Sequence, residues 1–180
     1  MRFVSLAVQG AWRLEPEPRP DDRGFFARTW CTREAADRGI EVTFVQVSIS
    51  FNDVAGTLRG LHYQAAPHAE SKLVRCTAGS IFDVIVDLRP ESPTYRRWHG
   101  ETLSAKNRLG LYIPRGFAHG FVTLEDNSEV LYQISEFYHP ESARGVRWND
   151  PALGIEWPRT PVRVAPRDAE FALLPPVGAS

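Results

Sequence analysis

Leu73-Val74-Arg75-Cys76-Thr77-Ala78-Gly79-Ser80-Ile81-Phe82-Asp83-Val84-Ile85-Val86-Asp87-Leu88 decides the fold class. Apolar and β-branched residues fill both ends, and Thr77-Ala78-Gly79 supplies turn chemistry between them. Side chains alternate faces along a strand, so Phe82, Val84, Val86 and Leu88 fall together on one face. Ile81, Asp83, Ile85 and Asp87 fall on the other, and the two aspartates mark that face as the solvent side of a half-buried strand. Working outward, residues 73–76, 111–113, 117–124 and 130–134 read as further strands. Pro90-Glu91-Ser92-Pro93, Pro114-Arg115-Gly116 and Glu125-Asp126-Asn127 read as the turns between them. Many short strands at such spacing predict an all-β sandwich or barrel.

Helix signals are sparse. The best is 32–38, with Thr32 as its cap and Gly39 as its stop. There is no internal repeat and no linker, so residues 1–180 read as one domain. The proline-rich stretches 15–20 and 161–180 read as irregular, and the N-terminal segment is free to pair within its own chain or with another.

Composition narrows the function classes. Net charge is −1 and no Lys/Arg run stands out, so neither a nucleic-acid partner nor an anionic membrane surface is indicated. No apolar run approaches membrane-spanning length, and the first ten residues carry no long apolar leader segment. Two cysteines, Cys31 and Cys76, are too few for a disulfide framework and predict cytoplasmic thiols.

Chemistry concentrates in Arg59-Gly60-Leu61-His62-Tyr63-Gln64. A strand that served packing alone has no use for a guanidinium, an imidazole, a phenol and an amide within six residues. His62 is the one group there suited to taking and returning a proton near neutral pH. Lys72, His119 and Tyr132 interrupt apolar patterns elsewhere, and a small barrel can bring such positions to one lumen. Taken singly, each has a plainer reading: a bonded structural histidine, a core tyrosine, a solvated lysine. Strict alternation puts Arg59 and His62 on opposite faces unless Gly60 marks a bulge.

A metal site is the first functional reading to weigh. His62, Gln64, Glu70 and His119 are spaced loosely like cupin metal ligands. That pattern wants a second histidine where Gln64 stands, and an amide is a poor ligand for borderline metals. The residues predict a pocket without metal, working by acid and base.

Beyond these groups, the chain carries Gly56-Thr57-Leu58-Arg59-Gly60-Leu61-His62-Tyr63-Gln64, Lys72-Leu73-Val74-Arg75, the 83–89 strand and Ser92-Pro93-Thr94. Ile113-Pro114-Arg115-Gly116-Phe117-Ala118-His119-Gly120-Phe121, Tyr132, Tyr138 and Trp148-Asn149-Asp150-Pro151 follow in order. In this series, running from Asp21 to Asp168, the chain resembles the dTDP-4-dehydrorhamnose 3,5-epimerases. The resemblance implies a cupin-type double-stranded β-helix (jelly roll) with a few short helices, no cofactor, and a homodimer to which residues of about 1–45 contribute exchanged strands. It implies a catalytic set: His62 as base, Asp168 as its dyad partner, Tyr132 as the acid on the opposite face, and Lys72 at the enolate oxygen. It also implies substrate contacts from Arg23, Phe26, Gln46, Ser48, Arg59, His119, Tyr138 and Arg167.

The implied reaction is inversion at C3 and C5 of a nucleotide-linked 4-keto-6-deoxy sugar. Alternatives are inversion at C3 alone, a 3,4-ketoisomerase, and a non-catalytic sugar-binding cupin. The departures from the family pattern lie at the nucleotide end. Arg28 and Ala143 stand where glutamates are usual, Ser48 where asparagine is common, and Arg167 where lysine is common. Losing two carboxylates opens a further alternative, a GDP- or CDP-linked substrate.

Overall fold

The computed structural model describes residues 1–40 and 42–176. In chain order the strands are β1 (Arg2–Ser5), β2 (Trp12–Glu15), β3 (Arg19–Asp21), β4 (Gly24–Phe26), β5 (Gln46–Asn52), β6 (Thr57–Gln64) and β7 (Lys72–Ala78). They continue with β8 (Ser80–Asp87), β9 (Trp98–Ser104), β10 (Gly110–Ile113), β11 (Phe117–Thr123), β12 (Ser128–Ile134), β13 (Ala143–Gly145) and β14 (Arg163–Val164). Helical structure among the described residues is short: α1 (Thr32–Ala36), a 3-10 turn at Pro140–Ser142, and α2 (Pro166–Ala169).

One sheet has the order β1-β2-β10-β7-β12-β5. The other runs β13-β6-β11-β8-β9, with β14 parallel to β6. β3 and β4 form a separate hairpin. This is the expected all-β jelly roll. Its core lies between the sheets. Val74, Leu111, Ile113 and Val130 of the first sheet meet Ile81, Ile85, Leu103, Phe117 and Phe121 of the second. Each such side chain contributes about 1.5–3 kcal/mol of hydrophobic stabilisation. A second cluster packs α1 on the outside of the first sheet, through Ala35 against Leu14 and Tyr112. A third covers the outside of the second sheet, through Val84, Val86 and Leu153.

Three expectations need correction. The face of β8 that carries Asp83 and Asp87 is not solvated; both aspartates are fully buried, on the side of Ile81 and Ile85 that meets the core. Each has a partner, with Asp83 bonded through Oδ2 alone. Asp83 faces His119, and Asp87 takes bonds from Arg89, Ser92 and Thr94. Burial alone would raise the Asp87 pKa, but those three donors outweigh it and hold the carboxyl down at about 2.

The expected turn at Thr77-Ala78-Gly79 is a single bend at Gly79. It carries the chain from β7 in one sheet to β8 in the other, with Gly79 at φ +69° against Ser128. Thr32 is the first residue of α1 rather than its cap, and Cys31 holds the cap position without a side-chain bond. Gly39, at φ +72°, does close the turn after α1, where the Ile40 N–H donates to Ala35 O. Lastly, the proline-rich stretches are not wholly irregular, since 15–20 leads into β3 and 161–180 contains β14 and α2. Glu41 and residues 177–180 of the expected tail lie outside the described residues.

The feature that shapes the interior is where β6 meets β11. Phe121 pairs with Arg59 and His119 pairs with His62. Between these pairs β6 holds two residues, Gly60 and Leu61, while β11 holds only Gly120. This is a bulge, and it reverses the parity of β6. Leu61 is buried in the outer cluster, while Arg59 and His62 come to the same wall. Both glycines are required. Gly60 adopts φ +139°, and a Cβ there would lie 2.5 Å from the Gly120 Cα. A Cβ on Gly120 would lie 2.7 Å from Arg59 O and 2.9 Å from the Gly60 Cα. Replacing Gly120 with alanine therefore forces the two backbones apart. Urea unfolding should show a loss of about 1–3 kcal/mol, with a larger proportional loss of turnover; wild-type stability in G120A would contradict the close approach.

Candidate active site

The two sheets enclose a cavity of about 340 Å³ whose lining includes Arg59, His62, Lys72, His119 and Tyr132. Gln46, Tyr138, Ala143, Arg144 and Arg167 complete its mouth and sides. His62 is on β6 and Tyr132 on β12, so they belong to opposite sheets.

The route by which Asp168 reaches His62 is local and readable. β14 runs parallel to β6, pairing Arg163 with Thr57 and Val164 with Leu58. Pro166 then opens α2, and Asp168 falls in its first turn, buried. Its Oδ1 lies 2.7 Å from His62 Nε2, and its Oδ2 accepts the Gly60 N–H at 3.1 Å. The bulge is thus bonded through the amide of its first glycine. Burial pushes the Asp168 carboxyl up, but the bonds from His62 and the Gly60 amide outweigh that and leave its pKa below the usual value. An ionised Asp168 accepts a hydrogen bond from the Nε2–H, which leaves Nδ1 as the ring nitrogen with a free lone pair.

A second histidine–aspartate pair stands beside the first. His119 Nε2 lies 2.8 Å from Asp83 Oδ2, with both side chains buried. The His119 ring meets Tyr132 edge-on at 6.1 Å. The Tyr132 hydroxyl shares a hydrogen bond of 3.1 Å with Ser50 Oγ. Burial in the wall pushes its phenol above the ordinary tyrosine range, so it holds its proton at neutral pH. Arg59 is aimed by Asn52: Nε donates to Asn52 Oδ1 at 2.7 Å, while Asn52 Nδ2 donates to Ser128 O at 3.1 Å. Lys72 Nζ pairs with Glu70 at 2.8 Å, both nearly enclosed.

The four positions considered above for a cupin metal all make contacts within the chain. His62 and His119 each spend Nε2 on an aspartate. Glu70 is taken by Lys72. Gln64 is held by backbone on both sides, donating to His68 O and Phe137 O and accepting the His139 N–H.

Of the residues singled out from sequence, His62, Asp168, Tyr132, Lys72, Arg59, His119, Gln46, Tyr138 and Arg167 converge on this cavity. Ser48 does not line it; Ser50, on the same face of β5 one step further along, does. Arg23 and Phe26 lie on the β3–β4 hairpin, away from the chain's own cavity, and Phe26 is 69% exposed. Arg28 is also remote, ion-paired with Glu34, whereas Ala143 is part of the lining. Sequence reasoning missed Ser50, Asn52 and the pairing of Asp83. Their one available signal was a period-2 run of short polar residues, Ser48, Ser50 and Asn52.

The cavity of this jelly roll thus holds a carboxylate-braced imidazole on one sheet and a protonated phenol on the other. Comparison with known proteins makes this specific. Residues 5–175 match the model of the family described as dTDP-4-dehydrorhamnose 3,5-epimerase. The enzyme of that name from Salmonella typhimurium is 44% identical over 97% of this chain and 96% of its own length. The crystal structure of the Bacillus anthracis epimerase with TDP and PPi bound superimposes with a TM-score of 0.92, at 42% identity, covering 96% of this chain and 99% of that one. The Legionella pneumophila epimerase in complex with dTDP-4-keto-L-rhamnose gives a TM-score of 0.89 at 38% identity, covering 96% and 92%. The chain belongs to the dTDP-4-dehydrorhamnose 3,5-epimerase family, whose members are isomerases. Among the described residues, no helix is long and apolar enough to cross a membrane.

Asp168→Asn tests the brace on His62. It should keep the fold by circular dichroism and lower kcat by about 10²–10⁴-fold with little change in KM; an unaltered kcat would detach Asp168 from catalysis.

Proposed function

We propose that the protein inverts C3 and C5 of a dTDP-linked 4-keto-6-deoxy sugar, through an enolate and without a metal. The supporting observation is the placement of His62–Asp168 and Tyr132 on facing sheets across one cavity. The carrier follows the relatives, whose solved structures hold TDP or a dTDP-sugar.

The chemistry runs on this chain's own groups. C3 and C5 both flank the C4 ketone, so a proton on either is acidic. His62 Nδ1 takes that proton, the C–H electron pair moves into the ring, and negative charge appears on the C4 oxygen. The Lys72 ammonium stabilises that oxygen; one such donor typically contributes about 3–4 kcal/mol. Tyr132 then delivers its proton to the same carbon from the opposite face, and the ketone reforms with the centre inverted. Solvent takes the proton from His62 and restores the one on Tyr132. Asp168 stabilises the transient imidazolium, and Arg59 and Arg167 suit the diphosphate. Tyr138 stacks on the base.

The working form on this reading is a homodimer in the cytoplasm, an environment compatible with the free thiols of Cys31 and Cys76. A second copy supplies Arg23 and Phe26, which stand exposed and away from their own cavity. The edge strand β5 supports this, because it presents Val47, Ile49 and Phe51 outward, each more than half exposed.

NMR in deuterated water separates the two proton steps. His62→Asn should abolish deuterium uptake at C3 and C5 while sparing binding, and undiminished exchange would remove His62 as the base. Tyr132→Phe should exchange yet fail to invert normally at one or both centres; normal inversion would place the acid elsewhere.

Mixing two inactive copies tests the shared cavity. A hybrid of His62→Asn and Arg23→Ala chains contains one pocket with both defects and one with neither. Activity should reappear on mixing, and a mixture as inactive as its parents would put Arg23 in its own chain's site or nowhere.

A further inference from the structure

Beside the cavity, outside the catalytic set, two loops bring histidines and carboxylates together. His68 lies in the loop between β6 and β7; Glu136 and His139 lie in the segment between β12 and β13. One donor atom from each of these three side chains lies within 4.8 Å of the other two. Among the described residues this is the one group of three or more such side chains gathered so closely. The imidazoles of His68 and His139 stack with centroids 3.5 Å apart and planes 8° from parallel. Glu141 adds a further oxygen, 3.1 Å from His139 Nδ1 and 4.0 Å from His68 Nε2.

The backbone beneath is already fixed. Gln64 Nε2 donates to His68 O at 3.1 Å and to Phe137 O at 3.0 Å. Gln64 Oε1 accepts the His139 N–H at 2.6 Å. One buried amide therefore holds both loops in register, so the imidazoles meet without a further loop-ordering cost. All three ligand side chains are partly exposed, which leaves an ion a way in.

We infer that His68, Glu136 and His139 form a binding site for a divalent first-row transition metal such as Zn²⁺, Co²⁺ or Ni²⁺. Two imidazole nitrogens and a carboxylate oxygen form a donor set for these borderline ions, and Mg²⁺ or Ca²⁺ would want oxygens throughout. Metal–nitrogen bonds of about 2.0–2.1 Å need only side-chain rotation to draw the donors inward, with Glu141 or water in the fourth position. The site cross-links the 65–71 loop to the 135–141 segment. That segment carries Tyr138 at the cavity mouth, so the ion acts as a clamp on the rim. It takes no part in the proton transfers, and the site stands or falls independently of the proposed reaction. Without an ion, the same groups have a simpler use: the His139 imidazole hydrogen-bonded to Glu141. Metal titration separates the two.

The experiment uses the full chain, without a histidine tag, stripped by a chelator and titrated calorimetrically with Zn²⁺. Absorption spectroscopy with Co²⁺ provides a second readout. Wild type should bind one Zn²⁺ per chain, gain thermal stability, and show visible Co²⁺ bands of a nitrogen- and oxygen-ligated ion. Loss of an outer partner alone typically costs about 10–100-fold in affinity, so His68→Ala and His139→Ala should each weaken binding at least ~30-fold. Both positions lie outside the catalytic set, and circular dichroism checks that the variants fold. Failure of wild type to bind at millimolar Zn²⁺, or binding that survives either substitution, overturns the site.

Discussion

The close approach of β6 and β11 at Gly60 and Gly120 is the constraint from which the rest of the site follows. Two residues face one there, so the strand's parity changes between Arg59 and His62. Without that change one of the two side chains would point into the outer cluster with Leu61. The same irregularity turns the Gly60 N–H toward α2, where Asp168 accepts it. A buried amide needs a partner, and a carboxylate that supplies one is anchored in return. Asp168 is thereby placed to hold His62 with its other oxygen. One backbone irregularity thus sets His62, its orientation and the arginine beside it.

Electrostatics then divide the labour between the two sheets. Donors from His62 and Gly60 keep Asp168 ionised despite burial. Burial with a single hydroxyl partner keeps Tyr132 protonated. The environments thus hold one group ionised and the other protonated within one site. Asp83 repeats the arrangement behind His119, which gives the cavity floor a second imidazole of fixed orientation next to the phenol.

Much of this was legible in the sequence because it rests on local pattern. Alternation located β8, and glycine in a polar strand located the bulge. The orientation of β8 was not legible. Aspartates on one face usually mark solvent, and only the third dimension reveals that His119 and a cluster of hydroxyls bond them. β5 escaped notice for a related reason. Its alternation is inverted: Val47, Ile49 and Phe51 stand outward and Gln46, Ser48, Ser50 and Asn52 form the other face, so the apolar residues do not mark the side toward the interior. Yet that polar face positions Tyr132 and Arg59. The helix bearing Asp168 has four residues inside a proline-rich stretch, too short for any periodic signal. Its position follows from β14 pairing with β6, a contact more than a hundred residues distant in sequence.

The charge around the cavity bears on which substrates it suits. Arg59, Lys72, Arg144 and Arg167 line it, and the Glu70 carboxylate is committed to Lys72. Ala143, paired with Gln64 in β13, adds no carboxylate to this wall. Its effect is to leave this wall more cationic, which favours a diphosphate but does not distinguish one nucleotide from another. Arg28 cannot alter that balance from its own chain, because it is spent on Glu34 far from the cavity. Discrimination among bases therefore falls to groups that meet the ring itself. On the proposed reading these are Tyr138 at the mouth and the exposed hairpin side chains of a second copy. A residue near the ring can sort substrates, whereas a residue near the diphosphate can only tighten all of them alike.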